Sequence, residues 1–291
     1  MPGTRAGNLD EYSQAAQISP RNAAAVSIST KISDIVDLRG KKILGINPPV
    51  WDFAWFDLWA KPLGLLRALG NIRARGNDVS LLDCMHEGRL QPMSFGRWQV
   101  RREERVKPGA YANVPRRFHR FGMRGDKLEK RLESLAKPDI VLVTSVMTYW
   151  HLGVREAIFA ARRAFPGVPV LLGGIYATLC PEHAATLGAD AVFSGRLPDD
   201  DGPIPMDLYD EPTYGVFLTS HGCPMQCDYC ASRILSPAYR ARPLENIISD
   251  LEFQLRHGKI KDVAFYDDAL LWERENSFYP LCEHVRKKFP G

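Results

Sequence analysis

Three thiols stand within eight residues in "HGCPMQCDYCAS", at Cys223, Cys227 and Cys230. Thiolates are soft ligands that suit iron-sulfur clusters, zinc or copper(I). Three are one too few for a closed four-thiolate metal site and one too many for a disulfide. A zinc reading needs His221 as fourth ligand within the same short span, whereas zinc sites pair two short spacings across a longer loop. A cubane cluster anchored by three protein thiolates leaves one iron open to a small molecule and asks nothing more of the chain. The other cysteines, Cys84, Cys180 and Cys282, are expected in the core, because free cysteine is among the most buried residue types.

A chain of 291 residues has room for one large or two ordinary domains. Six cysteines at this length do not make a disulfide scaffold, and a tight cluster of them fits a reducing compartment, so the cytoplasm is the expected location. No segment approaches the roughly 20 consecutive apolar residues of a membrane span, and the start lacks the pattern of a secretory leader. A net charge of +4 does not point to a nucleic-acid partner. Arg97 to Arg131 is locally basic, with "RRFHR" at 116–120, and reads as a solvated insertion.

The elements that must position the thiols follow from the apolar pattern. Residues 1–38 carry no sustained period and are expected to be a disordered tail. From Lys41 onward, "KKILGIN", "DVSLLD", "DIVLVTS", "VPVLLGG" and "ADAVFSG" read as strands, alternating with helical stretches such as "PLGLLRALGNIRARG" and "GVREAIFAARRAF". Such alternation implies a doubly wound parallel sheet, which gives an α/β domain over 39–197. Residues 198–214, rich in Asp and Pro, read as a linker. Over 215–291 the alternation restarts: strand "GVFLTS", the cysteine loop, helix "PLENIISDLEFQLRHG", strand "KDVAFYDD" and helix "NSFYPLCEHVRKKF". These are two β-α units, which cannot close a barrel.

The spacing Cys-x-x-x-Cys-x-x-Cys, with Tyr229 before the last cysteine and a strand before the loop, resembles the radical S-adenosylmethionine enzymes. The resemblance implies that Cys223, Cys227 and Cys230 bind a [4Fe-4S] cluster, that S-adenosylmethionine completes it, and that one-electron reduction cleaves that molecule to a 5'-deoxyadenosyl radical. The electron would come from a reductant such as ferredoxin or flavodoxin. Tyr229 matches the position near the adenine, and Asp267 and Asp268 match an Asp-Asp variant of the motif near the methionine amino group. Residues 215–291 would then be the first two β-α units of a partial TIM-type barrel, an incomplete radical domain. The order "NPP", "PLGLL", "RARGNDVSLLDC", "GGIYATLCPEHA" resembles the cobalamin-binding domain that precedes the radical domain in one branch of the superfamily. That likeness implies cobalamin at the strand ends, near Thr148, Gly173 and Gly174, and cobalamin-dependent methyl transfer or related C–H chemistry.

The sequence departs from relatives at two points. The Asp-x-His-x-x-Gly motif that brings a histidine to cobalt is absent, since Asp83 is followed by Met85 at the required place and His86 one step late; Gly195-Arg196 also replaces the usual Gly-Glu. The methylthiotransferase branch that modifies transfer RNA has three further cysteines in its N-terminal domain, where this chain has Cys84 and Cys180 only. The competing reading is a non-catalytic or truncated iron-sulfur or metal-binding protein with a vestigial cobalamin-like domain.

Overall fold

The computed structural model describes residues 26–31, 34–195, 204–256 and 260–289. Six parallel strands form the main sheet: β1 (Ser27–Ser29), β2 (Lys42–Asn47), β4 (Asp78–Asp83), β9 (Ile140–Val143), β10 (Val170–Leu172) and β11 (Ala191–Phe193). Their order is β1-β11-β10-β9-β2-β4. The chain runs outward from β2 to β4, then crosses back to β9 and onward, so the winding reverses between β2 and β9. In open α/β sheets that reversal opens a crevice beyond the carboxyl ends of the strands.

Alternation along β2 shows how the sheet is covered. Ile43 faces helix α1 (Leu63–Ala74), packing with Leu65, Leu69 and Ile72. Leu44 and Ile46 face the opposite layer, where α3 (Gly125–Glu133) supplies Leu128 and Leu132 and α4 (His151–Ala164) supplies Val154, Ala157 and Ile158. Strands buried on both faces read as continuous apolar runs, which is why this sheet was legible. Helix α2 (Cys84–Glu87) follows β4, and α5 (Ile175–Leu179) and α6 (Pro181–Ala185) follow β10.

Three expectations need correction. The tail expected over 1–38 contains β1, which extends the sheet beside β11, while Ile35, Val36 and Leu38 pack on the α1 layer; residues 1–25 lie outside the described residues. A three-residue strand whose partner is Ala191–Phe193 has no local signature. The basic insertion is folded into sheets, with Arg101, Arg102, Arg116 and Arg117 exposed as expected and Arg120 buried. Strands β3 (Val50–Asp52), β7 (Arg102–Arg105) and β8 (Phe118–Phe121) form an antiparallel sheet, and β5 (Arg89–Pro92) pairs with β6 (Trp98–Val100). Arg120, in the middle of "RRFHR", is buried and donates through Nε to both carboxylate oxygens of Glu156, at 3.0 and 2.9 Å. Its charge is matched inside the fold, so the run of cations misled. The linker is likewise packed where it is described: Ile204, Met206 and Tyr209 are buried against Leu66 of α1.

The second unit has β12 (Gly215–Phe217) parallel to β15 (Val263–Phe265), joined by α8 (Leu244–Arg256). Val216, Ala264 and Tyr266 face Leu66 and the linker, while Phe217 and Phe265 face α8 and α9 (Phe278–Lys288). The two expected β-α units are present as a two-stranded sheet; two strands do not make a barrel. The outer edge of β12 is closed by a side chain: Gln254 accepts from the Val216 N–H at 2.9 Å and donates to the Val216 carbonyl at 2.8 Å. No helix among the described residues is long and apolar enough to cross a membrane.

Candidate functional site

Just past β12, the chain enters the cysteine loop through a short antiparallel bridge of β13 (Ser220–His221) with β14 (Arg240–Ala241). The base of this loop is held by one carboxylate. Asp267 accepts from the N–H of Thr219 at 2.9 Å, its hydroxyl at 2.7 Å, the N–H of Ser220 at 2.7 Å and its hydroxyl at 2.8 Å. Buried Arg242 adds a bond from its guanidinium to the Leu218 carbonyl at 2.7 Å and lies 3.4 Å from the Asp250 carboxylate. Gly222 then turns the chain at φ 71°, where a side chain would also crowd the Ala238 carbonyl at 2.6 Å.

Beyond this fixed base the loop is open. Tyr229 is 93% exposed, and Cys223, Cys227 and Cys230 are partly exposed. The Cys230 N–H donates to the Cys227 carbonyl at 3.1 Å. The hydroxyl and N–H of Ser232 lie 3.3 and 3.4 Å from Cys230 Sγ and draw its pKa down, favouring the thiolate, while Asp268 acts in the opposite sense. Among the described residues, no three His, Cys, Asp or Glu side chains gather closely enough to hold a metal ion. The fold thus sets the three cysteines in one loop on an anchored base without bringing their sulfurs together. Of the two aspartates, Asp267 is spent on the loop base and Asp268 is exposed.

Helix α7 (Ser232–Leu235), immediately after Cys230, packs on α5, immediately after Gly173 and Gly174. Gly174 has φ 98°, and a side chain there would press on Ser145, whose N lies 2.7 Å from the added carbon; Ile175 N–H donates to the Ser145 carbonyl at 2.9 Å. This glycine is therefore required by its own fold. Thr148 opens a 3-10 turn, Thr148–Trp150, that also packs on α5. Met147, Tyr149 and Ile175 stand 44%, 45% and 40% exposed on this face. Two histidines that the sequence reading passed over meet here: the rings of His151 and His183 are 5.1 Å apart, and His183 Nδ1 bonds the hydroxyl of buried Tyr176. Burial lowers the pKa of His151 and raises that of Tyr176 to about 12. Inspecting the first turns after "TSVMT" and "GGIYAT" for imidazoles would have found both.

On the β4 side, Asp83 caps α2 through the Met85 and His86 N–H groups, at 3.0 and 3.2 Å, and accepts from Asn47 Nδ2 at 2.8 Å and the Tyr209 hydroxyl at 2.7 Å. The ring of His86 lies against Tyr209, and burial drives its pKa to about 3. Tyr214 and Tyr266 accept from the Lys61 N–H at 3.1 and 2.8 Å, so three tyrosines stitch the second unit to the first. No local pattern flagged these tyrosines.

Residues 112–197 match the family model of the B12 binding domain, a span that includes β9, β10, β11 and the Gly173–Gly174 turn. Over 77 residues the chain is 31% identical to an uncharacterized methyltransferase of Pyrococcus horikoshii, a match covering 25% of this chain and 17% of that protein. Over 59 residues it is 30% identical to the ribosomal protein uS12 methylthiotransferase RimO of Porphyromonas gingivalis, covering 18% of this chain and 14% of that protein. The chain thus spans less than a fifth of the length of these curated relatives. The match and the Rossmann-like sheet together support a cobalamin-binding domain and relatives of methyltransferase type.

Proposed function

We propose that the chain belongs to a cobalamin-dependent radical S-adenosylmethionine enzyme of methyl-transfer or related C–H chemistry, with Cys223, Cys227 and Cys230 as ligands of a [4Fe-4S] cluster. The observation that carries this reading is the packing of α7 on α5, which sets the cysteine loop over the turn that follows β10 in the B12-type sheet. Two cofactors that exchange a radical and a methyl group need neighbouring sites. The donor set fits: three thiols share one loop, one of them has a lowered pKa, and a fully bonded carboxylate fixes the loop base. The cofactor face fits as well, since Met147, Tyr149 and Ile175 expose apolar side chains on two turns that pack together, of the kind that a flat, largely apolar cofactor covers.

When bound, the cluster supplies the electron that cleaves S-adenosylmethionine. The chain's residues hold and orient it: Asp267 and Gly222 set the loop, Ser232 stabilises the Cys230 thiolate, and Asp268 remains available to accept from an ammonium group. Cobalt is expected to carry no histidine from the Asp83 loop, because His86 is packed on Tyr209.

Anaerobic reconstitution with iron and sulfide tests the reading. About four irons per chain are expected, lost in Cys223→Ala, Cys227→Ala or Cys230→Ala and kept in Cys84→Ala, Cys180→Ala and Cys282→Ala. Hydroxocobalamin titration of the same chain is expected to show binding, with no histidine splitting in the cob(II)alamin electron spin spectrum. One tightly held zinc per chain and no cluster would refute the radical assignment.

A further inference from the structure

The mechanism above leaves Lys61 unused. This lysine is buried, yet among the described residues no carboxylate stands within ion-pair distance of it. Its ammonium lies 4.2 Å from the ring centre of Tyr209 and 4.7 Å from that of Tyr214, so its near neighbours are aromatic faces. It lines a cavity of about 50 Å³ that also receives Arg89 and Arg97. Arg89 is spent on the carbonyls of His86 and Glu211 and on the ring of Trp98, and Arg97 on the carbonyl of Ser94. Neither forms an ion pair among the described residues.

Two carboxylates line the same cavity. Asp83 already accepts four hydrogen bonds, and Asp57 accepts from Trp59 Nε1 at 2.9 Å. Three cations therefore face two carboxylates that are engaged elsewhere. A buried charge is ordinarily paired, because desolvation penalises it otherwise. A second cavity of about 430 Å³ shares Trp59, Ala60, Arg97 and Tyr214 with the first and continues past Leu58, Phe95 and Tyr266. The second is an open, mostly apolar groove that carries one carboxylate, Asp262, in its lining. A small cationic end continuing into a wider, mostly apolar groove is the shape that receives an anion with an organic body.

We propose that these joined cavities bind an organic oxyanion, a carboxylate or phosphate ester, whose head group meets Lys61, Arg89 and Arg97 and whose apolar body lies against Trp59, Phe95 and Tyr266. The site stands at the carboxyl end of β4, the edge strand of the main sheet, with β2 and β9 between it and β10. It is built jointly by the segment before α1, α2, the insertion and the residues that lead into the second unit.

The test titrates the full chain with sodium acetate and with inorganic phosphate, each against sodium chloride at matched ionic strength, and reads tryptophan fluorescence and the thermal midpoint. A saturable response is expected with a dissociation constant of roughly 10 mM or tighter. Stronger binding of phosphate assigns a phosphate ester, and stronger binding of acetate a carboxylate. Arg97→Gln removes only an exposed-loop bond and is expected to keep the fold while weakening binding at least tenfold; Lys61→Met is expected to do the same or more. Acetate affinity is expected to fall as pH rises from 7 to 9.5, because Lys61, with its pKa drawn down by burial to about 8, loses its proton in that range. No saturable response beyond the chloride control, or equal affinity in wild type and Arg97→Gln, overturns the proposal.

Discussion

Lys61 sits where its charge works against the fold. Burial draws its pKa to about 8, only partly offset by Asp83, with Arg89 adding to the lowering. An unfolded lysine titrates near 10.4. Between those values the unfolded chain binds more protons than the folded one, so the lysine makes stability rise with pH across that window. His86, held near 3, is neutral in both states above pH 7 and adds nothing there. Cys84, its thiol pushed well up by burial, opposes the rise once unfolded cysteines ionise near pH 8.5, and Tyr209 and Tyr214, both raised by burial, join it as unfolded tyrosines ionise near pH 10. In urea denaturation of the ligand-free chain, wild type should therefore gain stability relative to Lys61→Met from pH 7 to 9.5, toward a limit of roughly 3 kcal/mol, with Lys61→Met the more stable protein at pH 7. A difference that does not change with pH would show that the ammonium reaches solvent.

At the scale of elements, the tie between β15 and the cysteine loop is the contact on which the candidate site stands. Asp267→Ala leaves four donors of Thr219 and Ser220 without their acceptor, at a cost of about 1–3 kcal/mol or more, read from the urea midpoint. Asp268→Ala, at an exposed position, should leave the midpoint unchanged. The same comparison explains what was legible. The cysteine spacing was visible because ligands close in sequence share a loop. The role of Asp267 was not, because its partners lie 47 and 48 residues earlier and nothing in "FYDD" distinguishes the two aspartates. The strands after Lys41 were readable because burial on both faces leaves unbroken apolar runs such as "IVLV". Strands β7 and β8 were hidden because they carry arginines: Arg105 at one edge, and Arg120 spending its charge on Glu156.

At the scale of the whole molecule, the two units share a core. Leu66 of α1 is buried against Ile204, Met206, Tyr209 and Val216, while the Tyr209 hydroxyl completes the shell of Asp83. The linker reading missed this because apolar residues spaced irregularly among aspartates and prolines form no period. A chain with such a seam is expected to unfold in one transition, with coincident midpoints by tryptophan fluorescence and far-ultraviolet circular dichroism. A fragment of residues 26–197, which keeps β1, uncovers Leu66 and loses the tyrosine bond, so it is expected to be less stable by roughly 3 kcal/mol or more; a fragment as stable as the full chain would show the seam to be superficial. Gln254 adds a consequence of another kind. With both hydrogen-bonding groups of Val216 occupied by one amide, a strand arriving beside β12 finds no template. The small sheet therefore has a direction of growth, and any further strand, from this polypeptide or another, must be laid down beside β15.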